Sequence, residues 1–205
     1  MRDIRGIRVR RHALKELKMN INNIVEILKR HHILLDSGLS EDEIIKIENT
    51  FNLKLPPDLR ELLQIVLPIS NGFVNWRDCT GTEKSVNSIF ERLNWPLEGI
   101  LFDIEHNSFW YDGWGVKPID INEAKDLCKI RYLEVPTLIP IYSHRYISAY
   151  PLEYGNPIFS VHQTDIIYYG ENLEEYFKVE FNDKSHSEMK YEKIKQIKFW
   201  ADIVG

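Results

Sequence analysis

The stretch LKLPPDLRELLQIVLPISNG, residues 53–72, decides how the rest of the chain is read. Pro56 and Pro57 suit the start of a helix, where the amide protons they lack have no partner to lose. Leu59, Leu62, Leu63, Val66 and Leu67 then recur at three- and four-residue steps and predict one broad buried face. Pro68 and the Asn71-Gly72 turn stop it. Immediately upstream, DSGLSEDEIIKIENTF places Ser40 and Glu43 in capping-box spacing, so that each side chain satisfies the other residue's free backbone amide. Ile44, Ile47, Glu48 and Phe51 share a face, which predicts a helix starting near Glu41. Two helices joined through an LPP step are the best-defined unit of the first half.

Outward from this pair the pattern continues in both directions. Leu14, Leu17, Ile21, Ile24 and Leu28 predict a helix over residues 12–31, with His31 and His32 at the favourable end of its dipole. Downstream, SVNSIFERL has helical spacing, whereas GILFDIEH alternates Ile100, Phe102 and Ile104 against Leu101, Asp103 and Glu105 and reads as a half-buried strand. FWYDGWGVKP reads as an aromatic hairpin or loop with Gly113 and Gly115 as its flexible points. A short helix is expected over residues 122–130. TLIPIYSHRYISAYP reads as two short strands and NPIFSVHQTDIIYYG as two more, both rich in β-branched and aromatic residues. Asn172 and Glu175 cap a helix in LEEYFKVEF. NDKSHSE is a polar linker, and Tyr191, Ile194, Ile197, Ala201 and Val204 predict a last amphipathic helix.

The 205 residues suffice for one core with extensions, and 43% hydrophobic and 28% charged residues are ordinary for a folded globular protein. A formal charge of -5 gives no general attraction for nucleic acid and suits basic partners. The charge is uneven, because Arg2, Arg5, Arg8, Arg10, Arg11, Lys15 and Lys18 crowd the first eighteen residues against Asp3 and Glu16. Cys79 and Cys128 have neither metal-site nor disulfide-framework spacing, which fits a reducing cytoplasm. No apolar run reaches membrane-spanning length and no signal-peptide h-region follows the opening arginines, so a cytoplasmic protein without membrane insertion is expected.

The order of an acidic helix, an LPP step into a Leu-rich helix ending at NG, Trp-rich strands, and finally strands followed by the capped NLEEYF helix resembles the SUKH superfamily. Its fungal members regulate cell-wall assembly and many bacterial members are immunity proteins. The sharpest matching parts are LKLPPDLRELLQ with SNG, and DIIYYGENLEEYF; the segment from IPIYSHRY to IIYYG and the tail IKFWADIV look like an uncharacterised bacterial branch. The resemblance implies an α+β domain, a central and mainly antiparallel sheet with helices around it, used as a binding surface. The expected division is a basic extension and helix over residues 1–36, the SUKH-like domain over 37–182, and a linker with an amphipathic helix over 183–205. It further implies a non-catalytic module that binds and neutralises a toxin domain, often a nuclease, with no cofactor.

Two clusters of residues carry the candidate chemistry. Asp103, Glu105 and Asp112, with Trp76, Trp110 and Trp114, form the expected partner-binding set: acids for a basic partner, tryptophans as interface anchors. Read otherwise, the tryptophans are core, and Asp103, Glu105, His106 and Asp112 serve acid-base chemistry or a metal. No HExxH or HxH supports the metal, so none is expected. His144, Arg145, His162, Gln163 and Asp165 form the second set, read as framework in which Asp165 forms a turn or pairs with Arg145. The rival reading is a hydrolase or small-ligand enzyme using His144, His162 and Asp165, although no Ser or Cys nucleophile motif completes a triad.

Overall fold

The computed structural model describes residues 20–205, so the basic opening and residues 12–19 of the expected first helix lie outside the described residues. The chain is α+β. Helix α1 (Ile21–Arg30) buries Ile21, Ile24, Val25, Ile27 and Leu28. Strand β1 (Leu35–Ser37) follows, then α2 (Glu41–Phe51) and α3 (Pro57–Ile65). The capping box is present, with Ser40 Oγ accepting from the Glu43 amide at 3.2 Å and the Glu43 carboxylate accepting from the Ser40 amide at 2.7 Å. Pro57 occupies the first turn of α3.

Helix α3 ends before the sequence pattern does. Val66, Leu67 and Pro68 leave the helix as β2 (Val66–Pro68), which pairs antiparallel with β1, Asp36 opposite Leu67. A buried Leu67 serves a strand as well as a helix, so its periodicity did not reveal the change. Gly38 makes the pairing possible: a Cβ there would lie 2.0 Å from the Gln64 carbonyl oxygen.

The largest correction concerns residues 83–106. They form one 24-residue helix, α4 (Glu83–His106), so GILFDIEH is its C-terminal third and not a strand. Pro96 sits inside it, leaving the Arg92 carbonyl without the amide that normally bonds it four residues on. Tyr146, reaching from the sheet, donates its hydroxyl to that carbonyl at 3.0 Å. The strand partner thus repairs the helix. Tyr146 is 2% exposed, so Tyr146→Phe is expected to strand a buried acceptor and lower stability by about 2 kcal/mol. Urea unfolding measures this, and a loss under ~0.5 kcal/mol, the scale of neutral surface changes, would show that another group serves the carbonyl.

Helix α5 (Ile121–Tyr132) precedes a four-stranded antiparallel meander, β3 (Leu138–Tyr142), β4 (Arg145–Ser148), β5 (Ile158–His162) and β6 (Asp165–Gly170). Helix α6 (Leu173–Glu180) follows, its N-terminus capped by Asn172, whose side chain accepts from the Glu175 amide at 3.0 Å. Strand alternation sends side chains to two faces, both covered. Ile139, Ile141, Ile147 and Ile158 join α1, α2, α3 and α6 in one core. Leu138, Tyr146, Phe159, Val161, Ile166 and Tyr168 join the second half of α4, α5 and the C-terminal tail in another.

The tail is not the amphipathic helix its spacing predicts. It runs as single 3-10 turns, His186–Glu188 and Tyr191–Lys193, before a four-residue helix α7 (Trp200–Ile203). Met189, Ile194, Ile197, Phe199 and Trp200 are all buried. The sheet face supplies their burial, and Phe199, at φ 69°, is incompatible with a continuous helix.

Candidate functional site

Helix α4 lies across the ends of both sheet hairpins, and its two faces do different work. Inward, Arg92 donates to the Gly72 and Ser143 carbonyls at 2.9 and 2.7 Å, holding the turn between β3 and β4. Asp103 accepts from the Thr164 amide at 2.8 Å and its hydroxyl at 2.6 Å, holding the turn between β5 and β6. Burial pushes the Asp103 carboxyl up, but bonds from Thr164 and Asn107 outweigh it and leave it below the ordinary value. Gly99 lets the second turn approach, since a Cβ there would lie 2.6 Å from the Gln163 Cα.

Outward, Glu91, Trp95, Glu98, Phe102 and Glu105 follow one another at four- and three-residue steps and form a single exposed stripe. Trp95 is 55% exposed and Phe102 45%. Phe102 meets the His106 ring edge-on at 4.3 Å. Glu105 pairs with Lys125 at 2.6 Å, a contact that holds its carboxyl below the usual range. The stripe therefore offers two aromatic side chains among three carboxylates.

Residues 107–115 carry the acidic character beyond the helix. Lys117 donates to the Ile104 and Phe109 carbonyls at 3.3 and 3.1 Å, satisfying acceptors that the helix end leaves open. The expected loop contains one 3-10 turn, Asp112–Trp114. Trp114 is buried and stacks on Phe199 at 5.4 Å, while Trp110 Nε1 donates to the Gly115 carbonyl at 2.7 Å. Tyr111 donates its hydroxyl to Asp202 of α7 at 2.6 Å, which keeps the phenol protonated. Beside this bond lies an open cleft of about 450 Å³, walled by Phe109, Trp110, Tyr111, Asp112, Asp202 and Ile203. Aromatic faces flanked by two exposed carboxylates suit a cationic side chain, which gains from both the ring quadrupoles and the charges.

The expected partner-binding residues thus divide. Glu105, Trp110 and Asp112 reach the surface. Trp76 is 2% exposed, packed against Phe51 in the core; Asp103 and Trp114 face inward. Trp95, Phe102 and Asp202 were missed as surface residues. The helical spacing of Trp95, Glu98, Phe102 and Glu105 was the available signal for the first two.

The second cluster gathers at the hairpin end of the sheet, and its ion pair differs from the expected one. Arg145 bonds Glu180 of α6 at 3.0 Å and Ser160 at 2.6 Å, and lies 3.6 Å over the Tyr169 ring. Asp165 is exposed and pairs in register with His162. Arg145 is level with Ser160, and Ser160 with Ile167, so Asp165 lies two residues further along β6, and among the described residues no ion pair joins it to Arg145. Gln163 takes a left-handed turn conformation, φ 57°. Burial and the adjacent Arg145 lower the His144 pKa. Among the described residues, no side-chain hydrogen bond joins His162 to Asp165, no three potential ligands converge for a metal ion, and no helix is long and apolar enough to cross a membrane.

The model of the SMI1 / KNR4 family (SUKH-1) matches residues 38–183, which run from the turn before α2 to the end of α6. No curated protein and no solved structure matches the chain.

Proposed function

The chain belongs to the SMI1 / KNR4 family (SUKH-1), and from that premise we propose that it is a non-catalytic, cytoplasmic protein-binding module of the immunity type. Its partner on this reading is a basic toxin domain, of which a nuclease is the leading kind. The carrying observation is the outer stripe of α4, where Trp95 and Phe102 stand exposed among Glu91, Glu98 and Glu105. Carboxylates on an acidic chain speed encounter with a basic partner, and aromatic side chains hold it once water leaves. The Trp110–Asp202 cleft adds a place for a lysine or arginine side chain. A regulatory scaffold with no toxin partner would use the same stripe. The hydrolase reading gains no support from His144, His162 and Asp165, because among the described residues no side-chain hydrogen bond joins His162 to Asp165.

Titration against a candidate basic toxin domain at two ionic strengths tests the reading. Added salt should slow association. The double variant Trp95→Ala, Phe102→Ala should weaken binding about tenfold, mainly through faster dissociation, with unfolding behaviour unchanged. A rate of association indifferent to salt, together with full affinity in the double variant, would remove this face as the interface.

A further inference from the structure

A second cleft, of about 380 Å³, opens between residues 73–78 and the first three turns of α4. Phe73, Asn75, Lys84, Ser88, Ile89 and Arg92 line it, and its size is within the range of small-ligand pockets. It differs in charge from the outer stripe of the same helix.

Arg92 is what makes this cleft unusual. Four arginines among the described residues are half-buried, and three have carboxylates: Arg60 has Glu41 and Glu48, Arg77 has Asp36 and Glu43, and Arg145 has Glu180. Arg92 bonds only the Gly72 and Ser143 carbonyls, which satisfy donors but supply no countercharge. The chain carries 31 acids against 26 lysines and arginines, so the lack does not come from a shortage of carboxylates. Lys84, exposed on the rim, likewise has no carboxylate partner among the described residues. The one acid lining the cleft, Asp78, accepts from the Asn75 side chain at 3.3 Å and forms no ion pair with either cation. A partly buried charge is costly unless an opposite charge meets it.

We infer that this cleft binds a small anion, a phosphate or carboxylate group carried on an apolar body. Arg92 supplies the buried positive charge, Lys84 the rim charge and Ser88 a hydroxyl donor, while the body lies against Phe73 and Ile89. Burial weakens the hold of Arg92 on its own proton, and a bound anion would restore it.

Calorimetric titration of the full chain with phenyl phosphate, benzoate and inorganic phosphate tests the inference. Phenyl phosphate should bind saturably, and inorganic phosphate more weakly because it has nothing to lay on Phe73. Benzoate binding as tightly as phenyl phosphate assigns the site to carboxylates, and a clear preference for phenyl phosphate assigns it to phosphoesters. Lys84→Glu should weaken binding at least tenfold without moving Tm, and Arg92→Gln should abolish it. Since Arg92 also holds two carbonyls, Ser88→Asp serves as a second variant that keeps those bonds while placing a negative charge in the wall. Failure of the wild-type chain to bind phenyl phosphate or benzoate saturably, or unchanged binding in both Lys84→Glu and Ser88→Asp, overturns the inference.

Discussion

Trp200→Ala is expected to lower the free energy of unfolding by about 3–5 kcal/mol, the cost of removing a large aromatic side chain from a packed core. The indole is fully buried beside Phe159, Tyr132 and Phe199, and its Nε1 donates to the Pro136 carbonyl at 2.7 Å. Alanine would empty the centre of the second core and leave that acceptor unpaired. The tail beyond residue 183 lies outside the family match, yet it covers the sheet face that Phe159, Val161 and Tyr168 present. Chemical denaturation reads the loss, and a change below ~1 kcal/mol would mean the tail is a removable appendage. The same variant should also weaken partner binding, because Asp202 shares α7 with Trp200 and walls the cleft through Tyr111. Asp202→Asn separates the two roles: its carboxylate is exposed, so it should cost affinity with little stability.

The parts of this fold that were legible in the sequence are those with local chemical punctuation. Ser40 with Glu43, Pro56 with Pro57, and Asn172 with Glu175 state where α2, α3 and α6 begin, because capping joins residues three apart. The meander was legible from four short β-rich runs. What failed depended on partners distant in sequence. Pro96 argues locally for a helix stop, and only Tyr146, fifty residues on, removes the argument. In GILFDIEH, Ile100 and Ile104 fit period two as well as a helical four-residue step. Choosing the strand placed Phe102 with Ile100 and Ile104 on one face, and so hid it from the exposed stripe. The tail shows the converse error, since apolar residues at helical spacing were buried by an existing sheet face without a helix forming. Arg145 was matched to Asp165 as a tie between adjacent strands, whereas its partner Glu180 comes from the helix packed above the strand.

Asp58 is expected to make the protein's stability depend on pH in the sense opposite to Glu43 and Asp103. It follows the two prolines at the start of α3, is 0% exposed, and accepts from the Leu59 amide at 2.9 Å and the Gly155 amide at 3.1 Å. Burial pushes its carboxyl up from 3.8 to about 6, against the pull of those amides and of Lys195. The folded state therefore holds the proton more tightly than the unfolded state. Its stabilising contribution is complete below pH 3.8 and is lost as pH rises through about 6, and a shift of roughly two units corresponds to ~3 kcal/mol. Glu43, held down by the Ser40 amide and by Arg77, acts the other way, contributing above its ordinary value of 4.5 and failing on acidification. Asp58 must accordingly be read by difference, as unfolding free energy of the wild type minus that of Asp58→Ala. That difference should be about 2 kcal/mol larger at pH 4 than at pH 7, and a difference indifferent to pH would show that the carboxylate keeps its ordinary affinity for the proton. The consequence reaches the binding surface, because Asp58 fixes the loop between β4 and β5, whose Tyr154 carbonyl accepts from Lys195 at 2.5 Å. Lys195 belongs to the tail that carries Trp200 and Asp202, so the protonation of one buried acid in the LPP helix bears on how firmly the acidic cleft is held.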